Sequence, residues 1–510
     1  MKPGQPYPEP GIRRIVTFSV MLATMMTSLD TTIANVALTH IQGSLSASQE
    51  EITWILTSYI VAAAIFTPLS GWLAGRVGQK QVMLWSLVGF TVASGLCWIA
   101  TNLDEIVLFR MVQGICGAAL VPISQAVLLD INPPERHGPA MAIWGMGAIL
   151  GPIVGPTLGG WLTDNLSWRW VFYINLPIGG MCAVGISGFM GDYSERRDQR
   201  LDFSGLALLA LAIAALQLML DRGQQQDWFS SLEICIEATA AAFFFYMFIA
   251  HTLTTDEPFV DLALFKDRNF LSGCIFGLFL GIILFSVLAL LPPMLEQLMG
   301  YPVILTGIVT APRGIGTLFS MFFTGQMIRR MDPRIPLFLG LLFCIGSTWL
   351  QTGFSLGMDA WPVVISGFVQ GIGTGLVFLS MSALAFATID QKYRNEAAAM
   401  FTLLSNIGGA VGIAGLQAVT IRNASIVHSR LTEEVRPDNP ILAWRMPDFD
   451  FDVAVQVAHM NAAITRQATM VSYIDSFHAL LIGSFVVMPL LLYAKPPRNR
   501  PVDAAPIHMD

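Results

Sequence analysis

Val112-Gln113-Gly114-Ile115 returns 257 residues later as Val369-Gln370-Gly371-Ile372, each copy inside a long apolar run. A second correspondence keeps nearly the same offset. The basic turn with Gly71, Arg76 and Lys80 answers to Gly325, Arg329, Arg330 and Arg334, about 254 residues on. Two matches at one offset, each at the corresponding end of a run, read as a duplication into two helical halves. Secondary carriers build a site near the bilayer midplane from such halves.

The rest of the chain agrees with a membrane. Of 510 residues only 12% are charged and 54% are hydrophobic, with a mean hydropathy of +0.61; a soluble domain carries about 25% charged residues. A net charge of -7 repels phosphate and excludes a nucleic-acid binder. The six cysteines lie in apolar runs with no CxxC spacing, which argues against a zinc site or a disulfide framework. No GxxxxGK[ST] occurs, so ATP is not the energy source. Gly353-Phe354-Ser355-Leu356-Gly357 has no strand before it and is no hydrolase elbow.

The fold class expected is an all-α polytopic membrane protein. Fourteen spans are read at 14–37, 52–73, 81–100, 105–128, 139–162, 170–190, 203–220, 232–253, 270–292, 303–327, 335–353, 361–387, 397–420 and 476–494, each near the 20 residues that cross a hydrocarbon core of about 30 Å. They divide into a six-helix half at 1–200, two inserted helices at 201–268 and a second six-helix half at 269–510. The second half carries a long outer segment at about 421–475, read as a loop that is polar at first and leads into a helix up to Tyr473. Lys and Arg set the orientation. With the N-terminus inside, inner segments hold 19 basic residues, among them Lys2, Arg76, Lys80, Arg136, Arg196, Arg197, Arg200, Arg329, Arg330, Lys392, Lys495, Arg498 and Arg500, against Arg169 and Arg222 in short outer loops. Both termini are therefore expected in the cytoplasm.

Three charged residues and one glycine array stand out inside the spans. Asp30 lies two-thirds through span 1 in Leu29-Asp30-Thr31-Thr32-Ile33-Ala34-Asn35. A carboxylate at bilayer depth costs roughly 2.5–3.5 kcal/mol. It therefore takes up a proton readily until water or a cation reaches it, which suits a proton-coupling site; the alternative is a packing Asp bonded to Thr27 or Thr31. Arg110, one turn into span 4, shares a helix face with Gln113. It needs a carboxylate or carbonyls, Asp30 being a candidate, or it reaches the outer interface near Asp104 or Glu105. Arg313, near the middle of span 10, either biases a central cavity toward anions or locks a helix pair. Asn35, Gln113, Arg313 and Gln370 are the polar residues expected to line that cavity. Finally, span 5 spaces Gly147, Gly151, Gly155 and Gly159 four apart, with Pro152 and Pro156 among them; one flat stripe lets another backbone approach closely, and the prolines soften the helix.

Together these pieces resemble the major facilitator superfamily. The turn with Gly71, Arg76, Gly78 and Lys80 is similar to its loop motif, except that Gly75 stands where that motif usually has Asp. Leu108-Phe109-Arg110 through Gln113-Gly114 resembles its span-4 motif linked to proton transfer. The span-5 array resembles the antiporter motif, and the Asp30 segment with Trp168-Arg169-Trp170…Asn175-Leu176-Pro177 resembles the fourteen-span drug:proton antiporters. Leu216-Gln217-Leu218-Met219-Leu220-Asp221-Arg222-Gly223 and Val260-Asp261-Leu262…Asn269-Phe270 look like the EmrB branch.

The resemblance implies a bacterial inner-membrane, proton-driven multidrug antiporter and not an enzyme. It would export hydrophobic, neutral or weakly acidic compounds, with no cofactor beyond the coupling proton. Its partners would be an EmrA-like periplasmic adaptor and a TolC-like outer-membrane channel, docked through 421–475. The alternative is a proton-coupled carrier for one metabolite; the span-5 glycines favour the antiporter.

Overall fold

A computed structural model describes residues 7–47, 49–133, 136–191, 201–256, 258–328, 330–390, 393–446 and 449–493. Of the basic residues that set the orientation, Lys2, Arg196, Arg197, Arg200, Arg329, Lys392, Lys495, Arg498 and Arg500 lie outside them, as does the boundary at 200.

The helices run antiparallel in chain order. They are α1 (Pro10–Leu45), α2 (Gln49–Val77), α3 (Gln79–Ile99), α4 (Leu103–Ile131), α5 (His137–Asn165), α6 (Trp170–Phe189), α7 (Phe203–Arg222) and α8 (Leu232–Thr254). They continue as α9 (Arg268–Leu298), α10 (Val303–Met327), α11 (Arg334–Thr352), α12 (Trp361–Phe386), α13 (Arg394–Glu433) and α14 (Ala454–Leu492). Among the described residues thirteen of these are long and apolar enough to cross a membrane. The other, α10, has 25 residues and carries Pro312 and Arg313.

Sequence marks the irregularities. In α4 the helix lapses at Ala118–Ala119, where Pro122 withholds its donor from the Ala118 carbonyl. After Pro292-Pro293, the end of α9 widens into a π turn at Met294–Leu298, the usual accommodation of a break in the ladder. Gly78, between α2 and α3, has φ 105°, a conformation that side-chain-bearing residues avoid.

Packing follows the duplication. In the first half α1 lies on α5, and α3 lies on α4 and α6; in the second, α10 and α11 lie on α12, and α9 on α13. The halves meet through α5 with α10 and α2 with α13. The inserted pair α7–α8 sits outside, with α7 against α2. Its basic-end anchor is Asp202, which accepts from the Gly205 amide (2.9 Å), the Phe259 amide (3.2 Å) and His251 Nε2 (2.9 Å). Burial alone raises the Asp202 carboxyl, but these donors outweigh it and hold the group below the usual carboxylate range.

The outer segment departs from the sequence reading. The expected helix up to Tyr473 is present from Ala454, but residues 421–433, read as loop, are helical too. Helices α13 and α14 run on beyond the membrane as an antiparallel pair, joined by a turn holding a short helix, Pro440–Arg445. Thr420 Oγ1 meets Ser476 Oγ (2.7 Å), Asn423 donates to Asp475 (3.4 Å) and His428 meets Asn461 (3.0 Å). At 40 residues, α13 is about 60 Å long, roughly twice the hydrocarbon core.

Candidate functional site

The first half encloses a polar cluster around Asp30. Helix α1 turns Asp30 into the bundle, where it is 2% exposed. Arg110 Nη1 of α4 donates to Asp30 Oδ2 at 2.6 Å; Gln113 Nε2 (3.0 Å) and Asn175 Nδ2 (2.7 Å) both donate to Oδ1. Three donors thus meet its two oxygens, one of them the charged guanidinium. Arg110 is wholly buried and spends its other donors close by. Nη1 also reaches Gln113 Oε1 (2.7 Å), Nε reaches the Ile55 carbonyl of α2 (3.3 Å), and the guanidinium lies 4.3 Å from the centroid of the Tyr59 ring. Among the described residues only its Nη2 is left without a partner. Asn175 is held in turn by Ser94 Oγ (2.9 Å), which donates to the Phe172 carbonyl (2.9 Å).

Helices α4 and α6 thus converge on the carboxylate of α1, and the α2 backbone holds the arginine that pairs with it. The pairing of Asp30 with Arg110 was an open candidate in the sequence, and the structure brings the two together. Asn175 was read only as part of a family motif, without a role, and Tyr59 was not singled out. A lone Asn in an apolar span, one turn after a Trp-Arg-Trp corner, was the available signal for Asn175.

The glycine stripe explains how α1 is held. A Cβ on Gly151 would lie 2.6 Å from the Leu29 amide nitrogen, and one on Gly159 would lie 3.2 Å from Ile33 Cγ2. Gly147 and Gly155 likewise abut Met21 and Thr32. The Thr32 hydroxyl donates to the Gly151 carbonyl at 3.3 Å. Pro152 and Pro156 sit within α5, which stays helical through both. The partner of the stripe is α1 of the same half, on the turn that carries Asp30. The other face of α5 meets the second half, where Gly145 lies under Met321 and Trp144 stacks on Phe378 (5.8 Å).

The expected cavity residues separate. Asn35 is exposed and Arg313 half-buried. Gln113 and Gln370 are each 0% exposed, so neither lines an open cavity in this conformer. Gln113 belongs to the Asp30 cluster, and Gln370 is enclosed beside Gln351 (3.5 Å), its own Nε2 without a partner among the described residues. The repeat that suggested them placed both correctly within their helices but on faces turned inward to each half. Arg313 Nη2 donates to the Leu284 carbonyl of α9 at 3.0 Å; among the described residues no carboxylate pairs with it.

At the basic end of the bundle the halves are bolted together. Gln79 Nε2 of α3 donates to Asp130 Oδ2 (2.7 Å) and to Asn395 Oδ1 of α13 (2.8 Å). Arg394 Nη1 of α13 donates to Asp130 Oδ1 at 2.7 Å. A Cβ on Gly71 would lie 2.9 Å from Glu396 Cα, so only glycine permits α13 to cross there. Arg76 lies over Trp72, and Lys80 Nζ donates to the Ser187 carbonyl of α6 (2.8 Å). Gly75, in the position that usually carries Asp, faces open space. Asp130 supplies the carboxylate on which this latch is built, and the sequence reading did not single it out.

Comparison with known proteins bears on this arrangement. Residues 20–413 match the profile of the Major Facilitator Superfamily. The chain is 35% identical over 492 residues to the multidrug export protein EmrB of Escherichia coli K12, covering 95% of each. It is 34% identical over 487 residues to the fatty acid resistance protein FarB of Neisseria gonorrhoeae, covering 94% of this chain and 96% of that one. Among solved structures, the human organic anion transporter MFSD10 superposes with a TM-score of 0.59 at 14% identity, covering 94% of this chain and all of that one.

Proposed function

The chain belongs to the major facilitator superfamily and is a multidrug efflux transporter, a multi-pass inner-membrane secondary carrier and not an enzyme, and from that premise we propose that it is a proton-driven antiporter coupled at Asp30. The observation that carries the reading is the buried Asp30–Arg110 pair at membrane depth. Asp30 is held by three donors in this conformer. Its protonation requires Arg110 to let go, and the unpartnered Nη2 leaves the guanidinium a donor for a new acceptor. A proton on Asp30 therefore breaks contacts between α1, α4 and α6. α1 is locked to α5, which lies against the other half, so the break is transmitted to the seam between the halves. The proton is the only coupling species invoked, and no cofactor is assigned.

On the positive-inside rule the latched end, with both termini, would face the cytoplasm. The conformer is then closed toward the cytoplasm and would release drug outward. Each proton crossing inward gains roughly 2.3 kcal/mol per 100 mV. The base test is direct. Protein in liposomes under a proton gradient should move protons when a drug is added; absence of any drug-linked movement would return the reading to a carrier for one metabolite.

Neutral and weakly acidic compounds are the substrate class favoured here. Arg313 offers a cation without a carboxylate at the centre of α10, and one relative is named for fatty acid resistance. Arg313→Ala should lower transport of acidic drugs several-fold while neutral dyes are spared. An equal loss for both classes would make Arg313 a structural clamp on α9.

The projecting α13–α14 pair is the site where a periplasmic EmrA-like adaptor would dock, leading to a TolC-like channel. Its tip is apolar for a solvated segment: Trp444 is 76% and Val455 64% exposed. Replacing residues 431–457 by a Gly/Ser linker should leave drug-driven proton movement in liposomes intact and abolish resistance in cells. Retained resistance would remove the docking role.

A further inference from the structure

Helices α5 and α10 seal the two halves at the basic end, but the seal covers only one side of their seam. Gly138 of α5 lies against the Gly325 carbonyl and Ile328 of α10. Beside that contact is a cleft of about 420 Å³, lined by Pro139, Ile143 and Met146 of α5 and by Phe322, Gln326 and Arg330 at the end of α10. The volume is that of a small-molecule site.

The cleft opens outward. Met321 is fully buried and packs under Gly145. Phe322, about 100° further round the helix, is 58% exposed, and Ile143 opposite is 40% exposed. In a membrane that side is occupied by acyl chains. The floor is therefore apolar and faces lipid, whereas the mouth is cationic. Arg330 stands exposed just past the last turn of α10, and among the described residues no carboxylate pairs with it. The nearest acid in the chain, Asp332, accepts from the Arg334 amide instead (3.0 Å). Gln326, also in the lining, adds an amide donor beside Arg330.

We infer that this cleft binds an anionic phospholipid, its phosphate held by Arg330 and Gln326 and the start of one acyl chain laid on Ile143, Met146 and Phe322. The chemistry is that of a basic pocket between membrane helices at the headgroup level. Guanidinium meets phosphate through paired donors, and the apolar floor excludes a ligand that is charged throughout. The two walls belong to different halves, so a bound lipid bridges them and resists their parting at the latched end. The inference does not depend on proton coupling.

Native mass spectrometry of detergent-released protein after exchange into mixed phosphatidylglycerol and phosphatidylcholine vesicles tests it. The native chain should retain phosphatidylglycerol in preference. Arg330→Ala should weaken that retention about fivefold, the loss expected for one basic residue near a membrane surface at about 1 kcal/mol. Arg268→Ala, which removes another exposed cation from the same end, should change nothing. Ile143→Trp should weaken retention by filling the floor while keeping every charge. Equal retention by native and Arg330→Ala protein overturns the site. So does displacement by millimolar inorganic phosphate alone, which would show an anion site without an acyl component. Displacement by a transported drug would reassign the cleft to substrate.

Discussion

Asp30→Asn protein in liposomes should show no drug-dependent proton movement, and in detergent it should be markedly less stable than the native chain. The second effect follows from the partner. Arg110 is 0% exposed, and losing its counter-ion leaves a buried charge, which costs about 3–5 kcal/mol when a buried pair is broken from one side. Loss of transport in the single variant could thus arise from a damaged half-bundle. Adding Arg110→Gln removes the orphaned cation and should return most of the lost stability, as measured by thermal unfolding, without returning coupled transport. Proton movement that survives in this double variant would move the coupling site elsewhere. Glu237, whose Oε2 is buried without a partner, and Asp475 would then be examined next.

The second large effect belongs to Gly151. An alanine there sets its methyl group 2.6 Å from both the Leu29 amide nitrogen and Ser28 Cβ, and 2.8 Å from the Ser28 carbonyl carbon. Backbone cannot move aside as a flexible side chain does, so α1 and α5 must separate. Overpacking of this kind costs about 1–3 kcal/mol. Transport should suffer more than stability, because the displaced turn carries Asp30, whose 2.6 Å bond to Arg110 tolerates little movement. Gly151→Ala should therefore fall to the transport level of Asp30→Asn. Gly160→Ala, where nothing lies within 4 Å, should transport normally. Equal tolerance at both positions would show that the stripe is not a packing surface.

These residues mark what could be read without coordinates. Hydropathy located the spans because about 20 apolar residues in a row have few other fates. The glycines of α5 and the two ionisable residues at depth were legible for a similar reason: each is costly in a membrane unless a neighbour compensates. What the faces looked at was not legible. Helical period groups Arg110 with Gln113 but does not say whether that face meets a cavity or a neighbouring helix, and Gln113 and Gln370 turned out to be enclosed. Asp130 was passed over because, at a helix end near basic residues, it resembles any solvated acid; only the fold brings Arg394, 264 residues away, against it. The outward run of α13 escaped notice because Arg422, Asn423, His428 and Arg430 carry no hydropathy signal, although nothing among residues 421–433 breaks a helix.

That continuity turns α13 into a lever. The same unbroken rod begins at the latch, with Arg394 and Asn395, and ends at Glu433 far outside the membrane. A rigid-body turn of about 15°, the scale of subunit rotations in switching proteins, swings the far end of a rod about 60 Å long by about 15 Å. Whatever grips the tip is moved in step with the opening and closing of the opposite end. The stroke is delivered through one helix, with no separate linkage to slip.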